Sequence, residues 1–208
     1  MIVKVCGMRD AANIKTLDIL GIADWMGFIF YPKSSRFVDS LPDYLPRHSK
    51  RVGVFVNADA DFISEHVADY SLNLVQLHGD ETPAFCKSLR QSIGDSVKII
   101  KTISVETADD LKTTSAFQSA VDYFLFETRC AGYGGSGNHF DWSLLNSYHG
   151  KKPFLLTGGI GPDDAEAILT IRHPQFMGID LNSRFETAPA LKDINMLLHF
   201  VTTINDNR

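Results

Sequence analysis

A (β/α)₈ barrel is the fold class this sequence predicts. Three observations lead to it. Eight short β-branched and aromatic runs recur along 208 residues at the spacing of βα units. Amphipathic helical stretches separate most of them. No glycine-rich fingerprint follows the first run, where Cys6-Gly7-Met8-Arg9-Asp10 holds one glycine. That argues against an open dinucleotide-binding sheet.

The β-type runs lie near Ile2–Cys6, Met26–Phe30, Val52–Val56, Leu72–Leu77, Val97–Thr102, Tyr123–Glu127, Phe154–Thr157 and Phe176–Leu181. The first helix is expected over Asp10–Leu20, with Ile14, Leu17, Ile19 and Leu20 apolar and Asp10 placed to cap it. Further helical stretches are Ala60–Tyr70, Pro83–Ser92, Thr107–Ser119, Pro162–Ile171 and Ala190–Ile204. Between Asp39 and Lys50, Pro42 and Pro46 leave room for at most a short helix. Asp141-Trp142 reads as an N-cap followed by a packing residue, and Gly134–Gly137 as a loop. No low-complexity linker divides the chain, so residues 1–208 are expected to form one barrel domain.

A net charge of −5, with its basic residues scattered, argues against nucleic acid and anionic membrane as partners. No apolar run reaches the roughly 18–20 residues that span a bilayer. The first ten residues lack a signal-peptide pattern, and a cytoplasmic protein is expected. Cys6, Cys86 and Cys130 are odd in number and widely spaced, which suits a reducing compartment and offers no metal-knuckle spacing. Cys86 and Cys130 are read as structural.

On a barrel the chemistry gathers at the C-terminal strand ends. Those ends carry Cys6, the loop Tyr31–Arg36, Gln76-Leu77-His78, Glu127, Thr157-Gly158-Gly159, and Asp180-Leu181-Asn182-Ser183. Alone, a cysteine there is a small buried hydrophobe, an arginine a solvated loop cation and a histidine a hydrogen-bonded pocket or core residue. Together on one rim they suggest a site. Strand alternation puts Lys4 and Cys6 on one face, so Lys4 is expected inside the barrel, in need of an anionic partner and able to favour the thiolate of Cys6. Gly158-Gly159 before a helix near Pro162, facing Asn182-Ser183, suggests a phosphate cradle.

These residues sit in a run of motifs: Lys4-Val5-Cys6-Gly7; Gly27-Phe28-Ile29-Phe30-Tyr31-Pro32-Lys33-Ser34-Ser35-Arg36; Val52 to Asn57; Val75-Gln76-Leu77-His78-Gly79-Asp80-Glu81; Gly134 to Gly137 with Phe140-Asp141-Trp142; Gly158-Gly159-Ile160; and Gly178-Ile179-Asp180 through Lys192-Asp193. In that order the chain resembles the phosphoribosylanthranilate isomerases of tryptophan biosynthesis. The resemblance implies an Amadori rearrangement of N-(5-phosphoribosyl)anthranilate, without cofactor or metal. It implies Cys6 as the base at C2 and Glu127 as the acid at the ring oxygen. Arg36 would meet the anthranilate carboxylate, Asp180 and His78 the rest of the substrate, and Gly158, Gly159, Asn182 and Ser183 the phosphate. A small phosphorylated substrate is then the expected partner, of a monomer or homodimer. Two positions depart from the family pattern: Glu127 stands where aspartate is usual, and Arg184 where glycine is frequent. An indole-glycerol-phosphate synthase relative, with Lys101 as acid, and a non-catalytic phospholigand barrel are the competing readings.

Overall fold

The computed structural model describes residues 1–128 and 141–207. The predicted runs close into one parallel barrel in the order β1 to β8: Ile2–Val5, Trp25–Ile29, Lys50–Phe55, Leu74–Leu77, Lys98–Val105, Tyr123–Thr128, Phe154–Leu156 and Phe176–Leu181. β1 closes the ring against β8, with Lys4 opposite Asp180. Cys130, Gly134–Gly137 and Phe140 lie outside the described residues. Asp141 does cap a 3₁₀ turn over Trp142–Ser147, accepting from the Ser143 N–H. Among the described residues no helix is long and apolar enough to cross a membrane.

Alternation along the strands builds the lumen in layers. One apolar side chain from each of β2 to β7 (Trp25, Val52, Leu74, Ile100, Leu125 and Leu155) packs into a separate cluster that floors the barrel. Two residues further on, the same strands present Gly27, Val54, Gln76, Thr102, Glu127 and Thr157. From β4 to β7 this next layer is polar, and Lys4 and Asp180 complete it from β1 and β8. Polar groups buried at a lumen floor need partners there, so the layer is built as a hydrogen-bonded base for the rim above.

The larger core fills the space between barrel and helices. The helices are α1 Ala11–Leu20, α2 Ala60–Asp69, α3 Pro83–Ile93, α4 Ala108–Lys112, α5 Ala165–Thr170 and α6 Ile194–Asp206. Asp10, Asp59, Thr82 and Asp193 each cap a helix through the side chain. Two predicted helices are shorter than expected. After Lys112 the chain tightens into a 3₁₀ turn over Thr113–Phe117, and Pro162–Asp164 is 3₁₀ before α5 begins. The last helix starts at Ile194 rather than Ala190. Residues 186–192 instead form a hairpin of β9 (Glu186–Ala188) and β10 (Leu191–Lys192), turned by Ala190 at φ 66°.

The crossover between β2 and β3 holds no helix. It is pinned from α1 by Asp18, whose buried carboxylate accepts from Tyr44 Oη (2.8 Å) and from the N–H groups of Arg47 (2.8 Å), His48 (3.0 Å) and Ser49 (3.0 Å). Burial pushes this carboxyl up, but the hydrogen bonds outweigh it and hold the pKa at about 2, below the ordinary 3.8. That depression stabilises the fold above pH 4 and is lost as pH falls through 2, a contribution of ~2 kcal/mol. Asp18→Ala also leaves the buried Ser49 N–H and the part-buried N–H groups of Arg47 and His48 without their acceptor. It is expected to lower unfolding free energy by about 2–4 kcal/mol in urea titrations at pH 7, with the deficit shrinking toward pH 2.

Candidate active site

A cavity of about 370 Å³ opens at the C-terminal ends of the strands. Every residue singled out on the rim lines it: Cys6, Arg36, His78, Glu127, Gly158, Gly159, Asp180, Asn182 and Ser183. Tyr31, Lys33, Ser34, Gln76 and Thr157 join them.

Cys6 follows directly on β1 and stays in its ladder, donating its N–H to the Leu181 carbonyl at 2.9 Å. Gly27 on β2 leaves it room, since a Cβ there would lie 2.7 Å from Sγ. Gly7 then turns the chain at φ 76°, in the left-handed region where glycine is at ease. A Cβ at Gly7 would sit 2.6 Å from Arg36 Cδ and 2.8 Å from Asn182 Oδ1, so this glycine lets both walls close in beside the thiol.

Lys4 is fully buried below the thiol, and its anionic partner is Asp180, at 2.7 Å. Burial works to lower the Lys4 pKa, but the attraction of Asp180 and Cys6 prevails and raises it. Lys4 does not draw Cys6 below the ordinary thiol range. Burial pushes this thiol up and prevails over Lys4, with Asp180 pushing the same way and Lys192 opposing. Lys4 does favour the thiolate, as its position suggests, by its charge and by a hydrogen bond, while it is also held by Asp180. Burial also raises the Asp180 carboxyl, against Lys4 and with help from Glu127. Its Oδ1 is buried without a hydrogen-bond partner.

Glu127, on β6, meets His78 Nε2 at 3.1 Å. His78 Nδ1 faces the Gln76 amide nitrogen at 3.0 Å and Thr102 Oγ1 at 3.2 Å. Because the amide donates to Nδ1, the ring proton is assigned to Nε2, which donates to Glu127. The loop carrying His78 is held by a buried pair, Lys101 Nζ to Glu81 Oε2 at 2.9 Å. Lys101 also donates to the Gly79 carbonyl at 2.6 Å and does not line the cavity, so the synthase reading loses its acid.

Arg36 lies on the loop after β2, which folds back so that Val38 N–H reaches the Ile29 carbonyl at 2.9 Å. Its guanidinium grips Glu186, Nε at 2.9 and 3.0 Å and Nη2 at 2.6 Å. Gly158 and Gly159 both take positive φ, 89° and 72°. A Cβ at Gly158 would strike the Thr128 nitrogen at 2.7 Å. The helix that was to complete the phosphate cradle is instead the acidic 3₁₀ turn, and Asp164 accepts the Gly161 N–H at 2.7 Å. Positive potential from a helix end is therefore weak here, and the Gly-Gly turn with Asn182-Ser183 forms the pocket wall. The Arg184 guanidinium packs over Gly161, with Nε 2.9 Å from where a Cβ would be, and stands outside the cavity lining. Among the described residues no group of three or more His, Cys, Asp or Glu side chains is placed to hold a metal.

Glu186 and Lys192 went unremarked in the sequence as site residues. They lie beyond the last barrel strand, where no strand period points at the rim, and Lys192-Asp193 figured only as the end of a motif and inside the helix expected from Ala190.

The sequence profile described as N-(5'phosphoribosyl)anthranilate (PRA) isomerase matches residues 3–203. A curated relative, N-(5'-phosphoribosyl)anthranilate isomerase of Parabacteroides distasonis, is 49% identical over 98% of this chain and 93% of its own. The crystal structure of phosphoribosyl anthranilate isomerase from Thermotoga maritima superposes with a TM-score of 0.79 at 30% identity, covering 99% of this chain and 100% of that one. A phosphoribosyl anthranilate isomerase solved with reduced 1-(o-carboxyphenylamino)-1-deoxyribulose 5-phosphate gives 0.77 at 28%, with 99% and 100% covered. Barrel closure, rim residues and profile thus agree over nearly the whole length, and the chain belongs to the N-(5'-phosphoribosyl)anthranilate isomerase family.

Proposed function

We propose that this chain converts N-(5-phosphoribosyl)anthranilate to 1-(2-carboxyphenylamino)-1-deoxyribulose 5-phosphate in tryptophan biosynthesis, with Cys6 as general base and Glu127 as general acid. The observation that carries the assignment of roles is one cavity with a thiol on β1, a carboxyl on β6 and cationic and Gly-Gly walls between them. Glu127 protonates the ring oxygen, and the C1–O bond opens to an iminium. The Cys6 thiolate then takes the proton from C2, giving an enolamine that tautomerises to the ketone.

The substrate carries an anion at each end. Arg36 takes the carboxylate through guanidinium edges that Glu186 leaves uncovered. The Gly158-Gly159 turn with Asn182 and Ser183 takes the phosphate. Asp180 Oδ1, buried without a partner, is suited to accept from a sugar hydroxyl. His78 touches Glu127 and orients it. The reduced product analogue bound in a solved relative supports this class of ligand. The chain acts as a single catalytic domain over residues 1–208, and its widely spaced cysteines support a cytoplasmic setting.

Loss of the fluorescence of the N-glycosyl anthranilate on ring opening gives the test. The purified protein is expected to consume freshly generated phosphoribosylanthranilate in chelator-treated buffer. Binding of a reduced product analogue with no turnover would instead establish the non-catalytic barrel.

A further inference from the structure

Two cations share one carboxylate behind the base. Glu186 accepts from Arg36 on one side and from Lys192 Nζ at 2.6 Å on the other. Lys192 Nζ also donates to Asn182 Oδ1 at 2.7 Å, and its side chain is wholly buried. Neither Glu186 nor Lys192 lines the cavity.

We propose that Glu186 and Lys192 are positioning residues for this reaction: Glu186 aims Arg36 at the substrate carboxylate, while Lys192 holds Asn182 and supplies the second cation, after Lys4, that stabilises the Cys6 thiolate. The proposal deepens the reading of Cys6 as base and rests on it.

Charge balance supports it. Lys4 and Asp180 neutralise each other. Arg36, Lys192 and Glu186 sum to one positive charge, next to the residue that follows Cys6: a Cβ on Gly7 would lie 2.6 Å from Arg36 Cδ and 2.8 Å from Asn182 Oδ1, the atom that Lys192 holds. The neighbouring Asp193 is engaged in capping α6, accepting from the Met196 N–H at 3.0 Å. Glu127 and His78 stand on the β6 and β4 walls, paired with each other. The anions that can complete the cluster are the substrate carboxylate at Arg36, its phosphate at Asn182 and, in the substrate-free protein, a thiolate at Cys6.

The cluster is also rigid. Asn13 on α1 brackets the Lys192 backbone, donating to its carbonyl and accepting its N–H, both at 2.9 Å. The Ala190 N–H donates to Glu186 Oε1 at 3.2 Å, closing the hairpin on the carboxylate. Burial holds the Lys192 ammonium below its ordinary pKa against the pull of Glu186, and Lys192 in turn draws the Cys6 thiol down.

The two residues carry opposite charge, so their removal has opposite sign at Cys6. The test is the pH profile of Cys6 alkylation by iodoacetamide in the substrate-free protein, read on the Cys6 peptide by mass spectrometry. Lys192→Met is expected to move the midpoint up by roughly one pH unit. Lys192→Arg is expected to restore it. Glu186→Gln is expected to move the midpoint down, and to raise KM by about 10-fold or more with a smaller change in kcat. Midpoints that stay put, or move the same way in both variants, overturn the proposal. If Lys192→Met does not fold, the sign for Glu186→Gln decides alone. Alkylation needs no turnover, so an active Cys6→Ala would overturn the base reading while the field at the thiol stays measurable.

Discussion

Cys6→Ala is expected to lower kcat by about 10³-fold or more, with KM nearly unchanged, in the fluorescence assay. The size follows from the cavity. Among the described residues no second basic side chain stands where Cys6 does: Lys4 below it is bound to Asp180, and Glu127 is on another wall, paired with His78. Cys6→Ser is expected to behave almost as badly, because a buried hydroxyl yields its proton far less readily than a thiol. The wild-type pH profile checks the same assignment. Burial raises the Cys6 thiol in the free protein, so kcat/KM should climb with pH through the neutral range and on toward the alkaline side. The base must be deprotonated to work, so rate is lost as pH falls. A Cys6→Ala variant within 10-fold of wild type would remove the thiol from the mechanism.

Glu127→Gln is expected to cost about 10²–10⁴-fold in kcat, since the amide keeps the shape and cannot give a proton to the ring oxygen. The informative partner is Glu127→Asp. Shortening the side chain draws the carboxyl back by roughly 1–1.5 Å, a bond-length estimate. From 3.1 Å that takes it out of hydrogen-bond reach of His78 Nε2 unless the backbone follows. The relay from Gln76 and Thr102 through His78 would then end on nothing. Glu127→Asp should therefore be slower than wild type by about 10–100-fold, even though aspartate is what the family resemblance leads one to expect there. His78→Asn is a useful companion, for it removes the same contact from the other side. A faster aspartate variant would mean that the glutamate is a poor fit and His78 is not its support.

The barrel was legible because its cause is local. Each β-type run reads as a strand from β-branched and aromatic residues alone, and Asp10 and Asp141 announce a helix and a turn start from their own side chains. What misled was also local. Ala190–Asp193 looks helical in pattern, yet Ala190 in the left-handed region and the ladder from Glu186 to Lys192 turn it into a hairpin. Pro162 looks like the first residue of a long helix, yet Asp164 folds back on Gly161 and tightens the turn. The empty-looking crossover after β2 is held by Asp18, far away in sequence.

By itself, then, the sequence determined the strand and helix rhythm and the set of polar residues at the strand ends, because alternation and capping act over a few residues. Tertiary structure alone decided how those residues are charged and held. Lys4 meets Asp180 only when β1 closes on β8, and Glu127 meets His78 only across the lumen. Arg36 and Lys192 come together on Glu186, and Asn182 on Lys192, only when the hairpin after β8 packs against the loop after β2. Burial and Coulomb attraction depend on three-dimensional distance, so whether the Cys6 thiol is raised or lowered is settled by the closed barrel.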